Sequence, residues 1–211
     1  MTENPHIPLI EKLAEAMRYP LSTDAAARLA AFAQQVATWN RRVGLIGARD
    51  AEEQTEILVA DALALARARL IPGKASLIDV GSGAGAPVLP LLLLREDLSA
   101  VLVESRRKRV AFLRTTAEML EIGGRAQVVA QRLDPCKPRI EGAPFDVAMS
   151  RATFPPELWV SAGAALAQHT LLFTAREQPV TPPAGSERTR SIDYRLPGSG
   201  ASRRITVYSR A

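Results

Sequence analysis

Residues 75–94 read ASLIDVGSGAGAPVLPLLLL. An apolar run closes at Asp79, glycines then occupy alternate positions 81, 83 and 85, and a longer apolar run follows Pro87. Glycine permits a sharp main-chain turn, and it also lets a ligand approach the backbone without meeting a Cβ. Both uses fit the stretch taken alone. Downstream of it, the strand-like runs SLIDV, AVLVES, QVVAQ, FDVAMS and TLLFTA alternate with helical stretches at 88–94, 108–122 and 157–167. That alternation predicts an α/β fold with a parallel sheet covered by helices. The tail differs: SIDYRL and RRITVYSR, joined by PGSGAS, predict an antiparallel hairpin that brings the sheet to seven strands. Residues 179–190, PVTPPAGSERTR, read as loop.

Upstream, the first third reads as helices. Leu9, Ile10, Leu13 and Met17 form one stripe, stopped by Pro20; Leu29, Phe32, Ala33, Val36 and Trp39 form another, with Ser22 or Thr23 as its cap. A third helix is expected from Asp50, with Glu53 as its capping-box partner, up to the Pro72–Gly73 break. The expected division is therefore an N-terminal helical segment, 1–74, packed on a core domain, 75–211.

Composition narrows the function classes. With one cysteine, Cys136, the chain has no internal disulfide and no cysteine-clustered zinc site; two histidines leave little for other metals, so no metal is expected. The start, MTENPHIPLIEKLAEAM, has no basic segment ahead of an apolar core, and PVLPLLLL is too short to span a bilayer. The expectation is a cytoplasmic monomer with no membrane partner. Residues 1–75 balance nine basic against nine acidic side chains, whereas the remainder carries eighteen against thirteen, so the net charge of +5 belongs to the half with the glycine loop. Such an excess suits a polyanion, although the predominance of arginine over lysine throughout also suits a compositional habit.

Two acids decide between the readings of the glycines. In an open α/β sheet, ligands settle beyond the carboxyl ends of the strands. The loop is D-x-G-x-G-x-G, from Asp79 to Gly85, and not the dinucleotide fingerprint G-x-G-x-x-G. A carboxylate opening the loop resists a pyrophosphate but suits a ligand with a cationic amino-acid head. Glu104 closes the next strand, where a carboxylate accepts the two hydroxyls of a ribose. A turn alone explains neither acid.

With those residues in place, the motif order resembles class I S-adenosylmethionine-dependent methyltransferases. More narrowly, the chain resembles the bacterial GidB (RsmG) family, which methylates N7 of a guanine in the 530 loop of small-subunit ribosomal RNA. The resemblance rests on WN at Trp39–Asn40, LIDVGSGAGAPVLPL at 77–91, ESRRKRVAFLR at 104–114, QRLD at 131–134 and FDVAMSRA at 145–152. It implies a Rossmann-like class I methyltransferase fold, S-adenosyl-L-methionine as cofactor, and ribosomal RNA or the small ribosomal subunit as partner. It also implies that Gly81 and Ala86 line the methionine and ribose side and that Glu104 holds the ribose; Asp79, Ser82, Gly83 and Gly85 are the further cofactor-binding candidates in the loop. Leu133 and Asp134 would hold the adenine, with Arg151 at the mouth. Asn40, Arg106, Arg107, Arg151 and Arg176 are the implied substrate contacts, and Arg41, Arg42, Lys108 and Arg109 are further candidates for RNA phosphates.

Several of these have a plainer reading beside the functional one. Asp134 also suits a turn cap before Pro135, Arg151 an ion pair with a neighbouring carboxylate, and each surface arginine a solvated face. His169 reads as a loop histidine. Three places depart from the family pattern: Gly44 follows WN where the family has an amide, Ala60 and Asp61 stand at its Arg-His pair, and Arg176 replaces a lysine. These departures leave open a methyltransferase acting on another RNA, a protein or a small molecule, and a non-catalytic cofactor-binding module.

Overall fold

The computed structural model describes residues 4–175 and 180–211. Three helices come first, α1 (His6–Ala16), α2 (Thr23–Val43) and α3 (Ala51–Ala68). The remainder runs β1 (Ser76–Val80), α4 (Val88–Leu94), β2 (Ser99–Glu104), α5 (Arg107–Met119), β3 (Ala126–Ala130) and β4 (Phe145–Ser150). It ends with α6 (Pro156–Leu166), β5 (Ala167–Thr174), β6 (Ser186–Arg195) and β7 (Ser202–Arg210). One seven-stranded sheet has the order β3-β2-β1-β4-β5-β7-β6. Strands β1 to β5 pair in parallel, and β7 inserts antiparallel between β5 and β6. This is the class I methyltransferase architecture, with its C-terminal hairpin and N-terminal helices.

Strand order reverses at β1, whose neighbours are β2 on one side and β4 on the other. The crevice expected at such a switch point opens beyond Val80, where the glycine loop begins. β1 is buried on both faces. Leu77 joins a large apolar cluster with Leu89, Phe112, Phe32 and Leu58, whereas Ile78 and Val80 join a second cluster around Trp159, Val160 and Leu166. Helices α1 to α5 therefore cover one face of the sheet and α6 the other, where Leu133 and Ile140 from the β3–β4 connection also pack.

Local chemistry fixes the element ends. Ser22 Oγ accepts from Ala25 N at the start of α2, and Gly44 closes that helix at φ 62°, a left-handed position suited to glycine. Asp50 Oδ1 accepts from Glu53 N at 2.8 Å; the returning Glu53 carboxylate meets Arg49 N, one residue before the cap, at 2.7 Å. α4 tolerates Pro90 because the third helical residue has no helical N–H partner to lose. α3 is buried over most of its surface, from Gln54 to Leu65, which marks it as a core helix and explains its weak apolar stripe.

The hairpin is longer than its sequence signals. Residues 180–185 are loop as expected, whereas Ser186–Arg190 belong to β6 and pair with β7. β6 is the sheet's edge and its start is largely exposed, so it needs no apolar alternation to be a strand. His169 lies within β5, not in a loop, and its Nδ1 meets Ser209 Oγ at 2.8 Å. Residue 179 and Arg176 lie outside the described residues.

Asp50 is exposed, so its cap can be removed without opening the core. Asp50→Ala is expected to lower unfolding free energy by about 0.5–2 kcal/mol. Phe112→Ala, at a fully buried ring, should cost about 3–5 kcal/mol. Urea titration of both variants checks the contrast.

Candidate active site at the strand ends

The glycine loop is held from below by the end of β2. Gly81 N and Ser82 N both donate to Val103 O, at 2.8 and 3.2 Å, and Gly83 N donates to Glu104 Oε2 at 3.1 Å. The other Glu104 oxygen accepts from Ser105 N and Arg106 N, at 2.8 and 2.9 Å. The buried carboxylate thus joins the loop to the start of α5. A carboxylate has about four acceptor sites, and three are filled.

The three glycines do different work. A Cβ on Gly81 would collide with Thr153, and one on Gly85 would lie 2.5 Å from Leu89 Cδ1. At Gly83 (φ 56°) a Cβ would find Gly81 O at 3.7 Å and Arg109 Nη1 at 3.8 Å, ordinary contact distances. Packing therefore demands glycine at 81 and 85. At 83 the demand comes from the left-handed backbone, in a place the protein leaves open.

Asp79 is buried beneath this loop, and its Oδ2 has no hydrogen-bond partner. Burial pushes its carboxyl up to about 7; the Ser82 side chain and the charge of Arg151 oppose the rise, and Glu104 adds to it. Such a group calls for a cation or a donor that the chain itself does not provide.

Arg151 follows β4. Its Nη1 donates to Ile57 O at 2.9 Å and to Asp61 Oδ2 at 3.0 Å, so the ion-pair reading describes the observed contact. Ala152 adopts φ 56°, which turns Arg151 toward α3 and Thr153 back toward Val80 O, 3.2 Å from its hydroxyl. Asp61 Oδ1 accepts from Tyr194 OH of β6 at 2.5 Å. Nothing in the sequence marks Tyr194; a lone acid within ILVADALAL is the available signal for Asp61.

The remaining expected site residues are spread out. Leu133 is buried against Val80 and Val103 in the second apolar cluster, and Ser82 and Ala86 are buried in the loop. Asp134 Oδ1 accepts from Cys136 N at 2.9 Å, the turn-cap arrangement, although the side chain is exposed. The polar atoms of Asn40 bind the chain after α2: Oδ1 accepts from Leu45 N and Ile46 N, and Nδ2 donates to Ile46 O at 2.9 Å. It acts there as a loop staple. Arg106 and Arg107 are exposed at the start of α5, and Arg109 Nη2 reaches Gly44 O at 3.0 Å.

Comparison with known proteins gives the site its class. The family model described as GidB, rRNA small subunit methyltransferase G, matches residues 25–170. The chain belongs to the GidB family. It is 34% identical over 202 residues to ribosomal RNA small subunit methyltransferase G of Anaeromyxobacter dehalogenans, covering 90% of this chain and 91% of that one. The Myxococcus xanthus protein of the same name is 29% identical, with 92% and 93% covered. Among solved structures, a SAM-dependent methyltransferase from Thiobacillus denitrificans in complex with S-adenosyl-L-homocysteine superposes with TM-score 0.53. It is 11% identical, covers 73% of this chain and 92% of its own, and so shares the fold. This GidB-family chain is an enzyme, a methyltransferase, and the loop over Asp79 lies where its fold places a ligand. Among the described residues, no helix is long and apolar enough to cross a membrane.

A carboxyl raised above its reference of 3.8 binds its proton more tightly in the folded state. Asp79 therefore costs stability as pH rises from about 4 to about 7, and the cost levels off above that. Asp79→Asn should be as stable as the parent near pH 4 and more stable by up to about 4 kcal/mol near pH 8. Thermal unfolding across that range reads the difference, and a constant offset would contradict it.

Proposed function

We propose that this chain transfers the methyl group of S-adenosyl-L-methionine to N7 of a guanine in the 530 loop of small-subunit ribosomal RNA. The observation that carries the cofactor assignment is the buried, partnerless oxygen of Asp79 beneath main chain that is open at Gly83. The residues fit the group. An ammonium supplies the charge that Asp79 lacks, the open place at Gly83 admits a ligand, and Glu104 keeps an acceptor site for a ribose hydroxyl. Leu133 and Asp134, in the connection that follows β3, are the candidates for the adenine, and Leu133 shares an apolar cluster with Val80 and Val103. Bound there, the cofactor supplies a methyl on a sulfonium leaving group.

What remains for the protein is placement. Guanine N7 carries an in-plane lone pair and no proton, so the reaction needs no general base. Aligning the acceptor and excluding water contribute on the order of 7–11 kcal/mol in well-oriented reactions. N7 becomes cationic, so a free guanidinium beside it would oppose transfer. Arg151 meets this requirement by being held against Ile57 O and Asp61.

Support for an RNA partner comes from the surface beside the loop. Thr38, Trp39, Arg41, Arg42, Val43, Lys108 and Ala111 line a groove of about 810 Å³ between α2 and α5. It holds three cations and no acid, and none of the three makes an ion pair among the described residues. Phosphates of a folded RNA suit such a groove, and the family name of the chain's relatives agrees. The charge change at Asp61 favours a second reading, the same chemistry on a different RNA guanine.

Labelled methyl transfer to small subunits, to naked ribosomal RNA and to total RNA, with mass mapping of the product, tests the assignment; label in no RNA would end it. Gly83→Val is expected to abolish S-adenosylhomocysteine binding in calorimetry while costing about 1–2 kcal/mol of stability for the left-handed backbone. Unchanged affinity would remove the cofactor from this loop. Arg41→Glu and Arg42→Glu should each weaken RNA binding across sequences and lower the slope of log affinity against log salt by about 1; filter binding over a salt series measures both.

A further inference from the structure

A second cleft, of about 440 Å³, lies between α3, the β4–α6 connection and the β6–β7 hairpin. Asp61, Arg151, Phe154, Tyr194 and Arg203 are among its lining residues. Its wall is bonded to the end of β1: Ser150 Oγ donates to Val80 O at 2.8 Å, and Thr153 Oγ1 donates to the same oxygen. The cleft is therefore one residue removed from the glycine loop. A group held in it stands beside a group held over Gly81 and Gly83.

One side offers a flat apolar platform. Phe154 stacks on Trp159 with an interplanar angle of 7° and centroids 6.3 Å apart. Trp159 is itself buried and fixed by its Nε1–H to Leu171 O at 2.9 Å. The half-exposed Phe154 ring is thus supported from behind, which suits stacking of an unpaired base.

Asp61 lies on the α3 side. Its side chain is only 8% exposed, and both oxygens are oriented, one by Arg151 and the other by Tyr194. Burial and the neighbouring Asp61 charge push the Tyr194 hydroxyl far above its ordinary range, so it remains a donor. Each carboxylate oxygen keeps one further acceptor site. Two adjacent acceptors in a fork match two adjacent donors. Among the four RNA bases only guanine presents such a pair, N1–H beside the 2-amino group; adenine and cytosine each set a ring acceptor beside their amine, and uracil has one N–H between two carbonyls. Glu56 also lines the cleft, but its carboxylate is taken by Gly198 N, Ser199 N and Ser199 Oγ. Arg204 is paired with Asp193, whereas Arg203 makes no ion pair among the described residues and suits the flanking phosphate.

We propose that this cleft receives the acceptor guanine extruded from the RNA, with Phe154 stacking on the base and Asp61 accepting its N1–H and 2-amino hydrogens. Base identity is then read by Asp61, a residue that departs from the family pattern. The proposal rests on the methyltransferase reading above and adds to it the residue that selects the base.

Small subunits reconstituted with guanine or inosine at the mapped position separate the two claims, because inosine lacks only the 2-amino group. The parent enzyme is expected to methylate inosine at least about tenfold less efficiently in kcat/KM. Asp61→Asn should lose efficiency on guanine and discriminate less than threefold between the two substrates. Phe154→Ala should raise KM for both substrates and leave their ratio intact. Equal rates on guanine and inosine for the parent, or full discrimination retained by Asp61→Asn, would overturn the proposal and leave the methyltransferase reading standing. Should Asp61→Asn fail to fold, the parent's own ratio and Phe154→Ala still decide. No transfer to any RNA by the parent would sink both.

Discussion

The site depends on a single carboxylate placed where three main-chain N–H groups converge. Glu104 accepts from Gly83, Ser105 and Arg106, and by doing so ties the glycine loop after β1 to the beginning of α5. Charge-assisted bonds of this kind are about twice as strong as neutral ones. They also point the loop's remaining surface outward. Because β1 and β2 are neighbours in register, from Ser76 opposite Ser99 to Val80 opposite Val103, Glu104 is the first β2 residue beyond the pairing. The same acid can then serve a ligand without rearrangement, since its position is set by protein contacts alone.

A second electrostatic arrangement runs across the molecule. Asp79, Arg151, Asp61 and Tyr194 come from β1, the β4–α6 connection, α3 and β6. One guanidinium stands between two buried acids. It bonds to Asp61 and only partly offsets the burial of Asp79, whose carboxyl stays raised. Full neutralisation of Asp79 within the chain would leave no unmatched charge for the cationic head of the proposed cofactor. The arrangement also makes the N-terminal helices part of the site: α3 supplies Asp61 and the Ile57 carbonyl. The hairpin takes part as well, through Tyr194 and through the Glu56 clasp on its turn.

What the sequence revealed and what it hid divide along the range of the interactions. Strands β1 and β4 and helix α4 were legible to the residue, because central strands and buried helices announce themselves by apolar runs with sharp ends. The Asp50 cap was legible because cap and partner are three residues apart. Residues 186–190 were not, since an exposed edge strand is written in polar residues. The side-chain partners at the site were the least legible. Arg151 finds Asp61 90 positions away, and Tyr194 finds it 133 away. The staple made by Asn40 is local, yet nothing in the sequence separates an amide that binds backbone from one that binds RNA.

The departures from the family pattern acquire different weights in this light. Gly44 ends α2 in the left-handed conformation, and glycine and asparagine are the two residues that most readily take it. The exchange of an amide for glycine there preserves the backbone on which the Asn40 staple and the Arg109 contact depend. Ala60 is wholly buried, so an arginine at that point would need a different course for α3. Asp61 is another matter: it places negative charge on the wall of the cleft nearest the glycine loop, beside a tyrosine that only donates. Cations attract any phosphate, whereas an oriented carboxylate selects among bases by their donors. Under the proposed reading, α3 would exchange a contact to a polyanion for a residue that discriminates among bases, and the arginines along α2 and α5 would hold the RNA backbone.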